Sequence, residues 1–311
     1  MITTAPSITI APVHLSPNQR AWRRFYKNRP AFVAAIFLLA FVGLILVWPL
    51  VSSTNPNAVS DAQFAKPNAH YWFGTDVHGR DLLSRICYGA RISLLVGLVG
   101  AAVSLVIGVS WGLVSGYAGG RTDAAMMRIV DILYSMPTIV FVIVLITALN
   151  ATLAKMQGLS ASAVRTLQFT GLFVGLGAVS WLTMARIVRG QVLSLRHRAF
   201  VDASRVLGAT HSRILLKHIL PNIYGIIIVY LTVTIPEIIL YESFLSYLGL
   251  GIQPPQASLG SLIASGAEEI NAVRIYWWLI IFPGATLAVT LLALNFVGDG
   301  LRDAFDPRAD R

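Results

Sequence analysis

Six stretches of the chain each run for about twenty residues with almost no charge, and this recurrence constrains the fold more than any other feature. They lie at about 31–51 (AFVAAIFLLAFVGLILVWPLV), 92–116, 137–154, 168–187, 221–243 and 276–298. A helix needs about 20 apolar residues to cross the roughly 30 Å hydrocarbon layer of a bilayer. Within that layer only structures that satisfy their own backbone hydrogen bonds persist. The chain is 56% hydrophobic and 12% charged, with a mean hydropathy of +0.69, whereas soluble domains carry about 25% charged residues. One large soluble core does not account for runs of this length. The expected fold class is an all-α polytopic membrane protein with six transmembrane helices.

The first run is longer than the apolar region of a signal peptide, and no clear small-residue cleavage site follows it, so it reads as a retained span. The formal net charge is +10. In a soluble protein that balance suggests nucleic acid, but no nucleic-acid motif accompanies it and no such partner is expected. In a membrane protein, Lys and Arg collect in cytoplasmic loops. Arg20, Arg23, Arg24, Lys27 and Arg29 precede the first run and argue for a cytoplasmic N-terminus. Six crossings then return the C-terminus to the same side. On this topology 17 of the 24 Lys and Arg residues fall in cytoplasmic segments and seven in the others. Residues 1–30 read as a cytoplasmic arm and 31–311 as one membrane domain with its core at about 92–300, and membrane lipid is an expected partner.

Several motifs tempt and fail. GVSWG at Gly108–Gly112 has the G-x-S-x-G spacing of a nucleophile elbow, but that motif needs a strand, a sharp turn and a helix, and here it lies inside an apolar run. The six histidines form no H-E-x-x-H pair, and Cys87 is the single cysteine, so no metal site is expected. No G-x-x-x-x-G-K-[ST] stretch is present, so the chain does not cradle ATP phosphates in the P-loop manner. Gly108, Gly112 and Gly116 recur every four residues, as do Gly171 and Gly175. Such small residues let helices approach closely, within the chain or against a partner span.

Two carboxylates, Glu237 and Glu242, fall in or near the fifth run. A carboxylate at the bilayer centre costs about 2.5–3.5 kcal/mol on insertion scales. Five residues apart, the two occupy different helix faces and do not form a paired acid/base site. Glu237, next to the helix-disturbing Pro236, is a candidate for the wall or gate of a pathway, with placement at the membrane interface as the alternative. Glu242 is expected to be exposed at the outer surface. Arg128 and Asp131 have the i,i+3 spacing of a solvated pair on the loop that also carries Asp123. Contact with a cytoplasmic partner is the alternative for that loop.

The stretch FVDASRVLGATHSRILLKHILPN, residues 200–222, is a polar interruption between two spans. Ala199, Phe200, Ala203, Val206 and Leu207 follow helical spacing, with Asp202 and Arg205 on the other side. Gly208 is placed to end this short helix in a left-handed conformation. A second helical piece is expected from about Ser212 toward Pro221, where the fifth span begins. The result is a helix–turn–helix elbow, either lying on lipid or gripped by a cytosolic protein.

Asp202–Ala203–Ser204, three residues, Gly208, nine residues and then HILP ending at Pro221 resembles the EAA-x3-G-x9-I-x-L-P loop of ABC importer permeases. Asp202 stands where that motif has Glu, Ser204 where it has Ala, and His218 where it has Ile. Five further stretches, among them FGTDVHGRDLLSRICYGARISLLVG (73–97), WLTMARIVRGQVLSLRHRAF (181–200) and NFVGDGLRDAFDP (295–307), look like the C-type permease subunit of oligopeptide and dipeptide importers. The resemblance implies a type I importer transmembrane domain in a bacterial inner membrane, without catalytic residues of its own. It implies a second homologous permease, two cytosolic ATP-binding subunits that use ATP and Mg, and an extracytoplasmic peptide-binding protein. The 199–219 elbow would couple to the ATPases through Asp202, Ala203, Ser204, Leu207, Gly208 and Pro221. A stand-alone ion-coupled secondary transporter is the alternative. Such transporters usually carry internal repeats and midplane charges, whereas this chain shows no sustained repeat and offers Glu237 alone.

Overall fold

A computed structural model of the protein describes residues 17–52, 55–156, 160–270 and 274–305. Residues 1–16 of the expected arm and 306–311 of the expected membrane domain lie outside the described residues. The described chain is helical: α1 (Pro17–Lys27), α2 (Arg29–Val51), α3 (Leu82–Ala118), α4 (Gly120–Tyr134), α5 (Thr138–Lys155), α6 (Ala161–Leu195), α7 (Ala199–Val206), α8 (His211–Arg213), a π-turn at Ile214–Ile219, α9 (Leu220–Tyr247), α10 (Leu259–Glu268) and α11 (Trp278–Phe305). Among the described residues the sole β pairing is an isolated bridge between Thr75 and Asp81.

Among the described residues five helices are long and apolar enough to cross a membrane: α2, α3, most of α6, the 37-residue rod His211–Tyr247, and α11. The remaining expected crossing, the third run at about 137–154, takes a different form. α4 and α5 satisfy the same test only as a pair, bent by 86° at their junction. Pro137 at that junction lacks an amide hydrogen and resists helix continuation. α3 and α6 outrun the apolar runs that announced them. α3 begins at Leu82, where Asp81 caps it by accepting from the Ser84 amide at 2.9 Å. α6 continues to Leu195, past Arg186 and Arg189. Both extensions carry arginines held by carboxylates, so charge marks the end of the apolar run without marking the end of the helix.

α3 and α6 form the central pair. A Cβ on Gly108 would lie 2.6 Å from the Met184 Cβ, one on Gly112 2.6 Å from the Ala185 carbonyl, and one on Gly116 2.8 Å from the Val192 Cβ. The glycine stripe therefore packs within the chain, letting two backbones meet where any side chain would separate them. Gly171 and Gly175 similarly face Leu149 and Leu145 of α5. The GVSWG stretch lies in the middle of α3, where the Ser110 hydroxyl donates to the Val106 carbonyl at 2.7 Å. It has neither the strand nor the turn of a nucleophile elbow.

The elbow end of the bundle gathers α1, the end of α11 and the start of α9. Ala21 and Phe25 of α1 pack with Ala304, Asn28 donates to Asp303 at 3.2 Å, and Gly225 abuts Phe305. The opposite end is roofed by 55–81 and α10. There Phe64 stacks on Tyr276, Phe73 stacks on Phe282, and the Trp278 indole donates to the Thr75 carbonyl at 3.2 Å.

Candidate functional site

α7 turns away from the bundle body. Only Val201 is fully buried, in a cluster with Val192, Ile214 and Ile219. Phe200, Ala203, Val206 and Leu207 face outward, with Val206 87% and Leu207 86% exposed. The helix has all the local features it needs. Asp202 sits in its first turn, where a negative charge suits the helix dipole, and pairs with Arg205 at 2.9 Å. The Ser204 hydroxyl donates to the Phe200 carbonyl at 2.8 Å. The end is a Schellman motif: the Gly208 amide donates to the Arg205 carbonyl at 2.9 Å and the Ala209 amide to the Ser204 carbonyl at 3.0 Å, with Gly208 at φ +78°. The expected left-handed stop is thus present at Gly208. What α7 lacks, among the described residues, is a neighbour for its apolar side.

The elbow's second half begins at His211, close to the expected Ser212, and Pro221 stands in the first turn of α9 as expected. It also runs on without a break: α8, the π-turn and α9 form one rod. The Pro221 ring crowds the carbonyl four residues back and offers no amide hydrogen. The π-turn accommodates this: the Leu220 amide reaches back to the Leu215 carbonyl, and the Asn222 side chain donates to the His218 carbonyl at 2.6 Å. The elbow's second half is therefore continuous with a spanning helix. A second tie runs to α3, where the Tyr117 hydroxyl meets His211 Nδ1 at 3.0 Å and Arg205 lies over the Tyr117 ring at 5.5 Å. The hydrogen bond that Arg205 donates to the Tyr117 oxygen, and then the charge of Asp202, outweigh burial and hold the guanidinium above its usual range.

The two α9 carboxylates part company. Glu237 is exposed and accepts from the Tyr241 hydroxyl at 2.9 Å. Glu242, expected at the outer surface, is instead completely buried, at 0% exposure. It accepts from Ser246 at 2.7 Å and from Ser93 at 3.3 Å. Ser93 in turn accepts from the Leu259 amide at 3.2 Å, and Ser246 lies 3.4 Å from Ser258. The carboxylate thereby joins α3, α9 and α10. The i,i+4 spacing of Glu242 and Ser246 hinted at this; Ser93, 149 residues away, did not.

Asp131 is paired across helices with Arg186 at 2.7 Å, rather than with Arg128, and Asp123 accepts two hydrogen bonds from Arg189 at 2.6 Å and one from Ser115. Asp123 is buried, not solvated. At the opposite end Asp76 accepts from Arg85 at 2.6 Å, from Arg80 at 2.7 Å and from two backbone amides. Burial opposes its ionisation, but the Arg80 amide and the Arg85 and Arg80 guanidiniums outweigh it and hold the carboxyl below its usual range. Asp76 and Arg80 have the i,i+4 spacing, but the Asp131–Arg186, Asp123–Arg189 and Asp76–Arg85 pairs have no spacing signature.

With this geometry in place, the relatives are informative. Residues 108–311 match the family of binding-protein-dependent transport system inner membrane components, and 16–69 match the N-terminal transmembrane domain of oligopeptide transport permease C. The chain belongs to this permease family, in its C-type oligopeptide and dipeptide branch. It is 43% identical over 296 residues to the oligopeptide transport system permease protein OppC of Haemophilus influenzae, covering 93% of this chain and 88% of that one. It is 41% identical over 301 residues to the dipeptide transport system permease protein DppC of Bacillus subtilis, covering 96% and 88%. A solved structure of the MetNI methionine ABC transporter in an inward-facing conformation matches at TM-score 0.53 and 20% identity, over 70% of this chain and 94% of that one. That likeness places the fold among type I ABC importer transmembrane domains. The permease is a multi-pass membrane protein and a transport subunit, working with other subunits of an ABC importer.

Proposed function

We propose that this permease forms half of the pathway of an ATP-driven importer of oligopeptides or dipeptides. The other half is a homologous permease, an extracytoplasmic protein delivers peptide, and two cytosolic subunits bind and hydrolyse ATP with Mg. The α7 elbow is the point of coupling. The observation that carries this reading is the outward apolar face of α7, closed at its C-terminal end by Gly208 and without a neighbour among the described residues, joined by a short turn to the rod His211–Tyr247 that contains α9. An apolar helix face presented beside Asp202 and Arg205 suits a groove in a folded partner. Closure of the ATPases on ATP would push the elbow, and α9 would carry the displacement to Glu237. The elbow, α1 and the end of α11 share one end of the bundle, which fits the topology with N- and C-termini on the cytoplasmic side.

The test is reconstitution in proteoliposomes with the partner permease, the ATPases and the binding protein. ATP-dependent uptake of labelled peptide is expected, with no uptake driven by a proton or sodium gradient through this chain alone. Gradient-driven uptake without ATPases would return the secondary transporter.

A further inference from the structure

The bundle carries one face that is polar where lipid would forbid it. Starting nine residues from the elbow end of α6, Arg186 holds Asp131 at 2.7 Å and lies over the Tyr134 ring at 4.0 Å. Tyr134 meets the Thr183 hydroxyl at 2.5 Å. Tyr134 and Thr138 are also polar neighbours of Tyr241. Tyr241 donates to Glu237, ten residues short of the opposite end of α9. Asp131, Tyr134, Thr183, Arg186 and Glu237 are all exposed. A charge as far inside a spanning rod as Glu237 faces a bundle interior or a water-filled cavity, because lipid costs about 2.5–3.5 kcal/mol, and Asp131 and Arg186 continue that polar face toward the elbow end.

We infer that this track, from Glu237 through Tyr241, Tyr134 and Thr183 to Arg186, is the wall against which a peptide's main chain passes. The inference rests on the import reading. The side chains satisfy one another in single bonds and keep capacity in both senses. Arg186 has donors to spare, Glu237 a second oxygen, and each hydroxyl can both give and accept. A peptide backbone alternates N–H and C=O and ends in an ammonium and a carboxylate, so it fits a surface of mixed donors and acceptors that has no fixed side-chain pocket. Glu237 is the track's one carboxylate without a basic partner on it, and it favours cationic groups in passage.

The experiment uses the whole reconstituted importer with Cys87→Ala as parent. Thr183→Cys is treated with a charged methanethiosulfonate, and labelling rate and ATP-driven uptake are both read. Fast labelling, uptake reduced about tenfold by the attached charge, and slower labelling during turnover with saturating peptide are expected. Leu39→Cys, on an exposed apolar face of α2, should transport normally whether treated or not. A Thr183→Cys that never labels is covered by lipid or by the sister permease, and one that labels with unchanged uptake lies off the path; either result overturns the inference. Should Thr183→Cys fail to assemble, Glu237→Gln decides. The ratio of Lys-containing to Glu-containing peptide uptake should fall about threefold relative to the parent, and an unchanged ratio overturns the inference. A parent complex without ATP-driven peptide uptake defeats the import reading itself, and the track falls with it.

Discussion

The two ends of this permease handle polarity in opposite ways. At the end roofed by 55–81 and α10, polar groups turn inward and close on one another: Asp76 with Arg80 and Arg85, Glu242 with Ser93 and Ser246. At the elbow end the short helix α7 turns its apolar residues outward. Both arrangements would be unfavourable if misread, since a buried charge needs partners and an exposed apolar patch signals an interaction site. On the proposed function, the contrast between this roof and α7 separates residues that hold the subunit together from residues kept for another protein. Substitutions at the first end should cost stability, and those at the second should cost assembly.

The largest effect is expected at Asp76. Asp76→Ala leaves Arg85 buried without its carboxylate, and breaking a buried pair costs about 3–5 kcal/mol. Thermal unfolding of purified protein in detergent should show a large loss, or the protein should disappear from membranes. The pH dependence has a definite sign. Because the folded carboxyl is held below its usual range, its contribution is fully present at neutral pH and fades as pH falls through that lowered value. Asp76→Asn should lack this acid-side component. A variant as stable as wild type would show that the closed network at this end is dispensable.

Next comes Glu242. Glu242→Ala orphans buried hydroxyls of Ser93 and Ser246, at about 1–3 kcal/mol for each unsatisfied group, while Glu242→Gln can still accept from Ser246. Melting temperatures should order as wild type, Gln, Ala. If Ala matched Gln, the serine cluster would not be held by this side chain.

Gly208→Val should be milder for the fold and severe for coupling. A Cβ there meets no atom within 4 Å, so the cost is conformational alone, about 1–3 kcal/mol for a β-branched residue at positive φ. The variant should insert and pair with its sister permease yet convert ATP hydrolysis into uptake poorly. Uptake per ATP equal to wild type would contradict the elbow geometry.

What the sequence made legible follows from how far each signal reaches along the chain. The spans, the short helix at 199–207 and its stop at Gly208 depend on neighbours within one or two turns, so apolar periodicity and glycine chemistry expose them. The glycine stripe announced close packing without saying against what; α6 supplies the answer 70 to 80 residues later. Glu242 was misplaced because a lone carboxylate near the end of a span reads as interfacial until Ser93 and Ser258 are brought to it by the fold. The π-turn before Pro221 escaped for another reason, since proline's first-turn tolerance hides the crowding it imposes on the turn before. Arg186 with Asp131 is an inter-helix pair, and no spacing rule joins residues 55 apart.

The central claim is that α7's outward apolar face exists for a partner, and Leu207→Asp tests it most directly. Leu207 is 86% exposed, and substitutions at such surface positions usually change stability by about 0.5 kcal/mol or less. The measurement pairs the melting temperature of the isolated subunit with its co-purification with the ATPase subunits. The expected result is an unchanged melting temperature and about a tenfold loss of ATPase retained, as suits a charge placed in a desolvated contact. Full retention of the ATPases, or a subunit that unfolds as though Leu207 were core, would contradict the account.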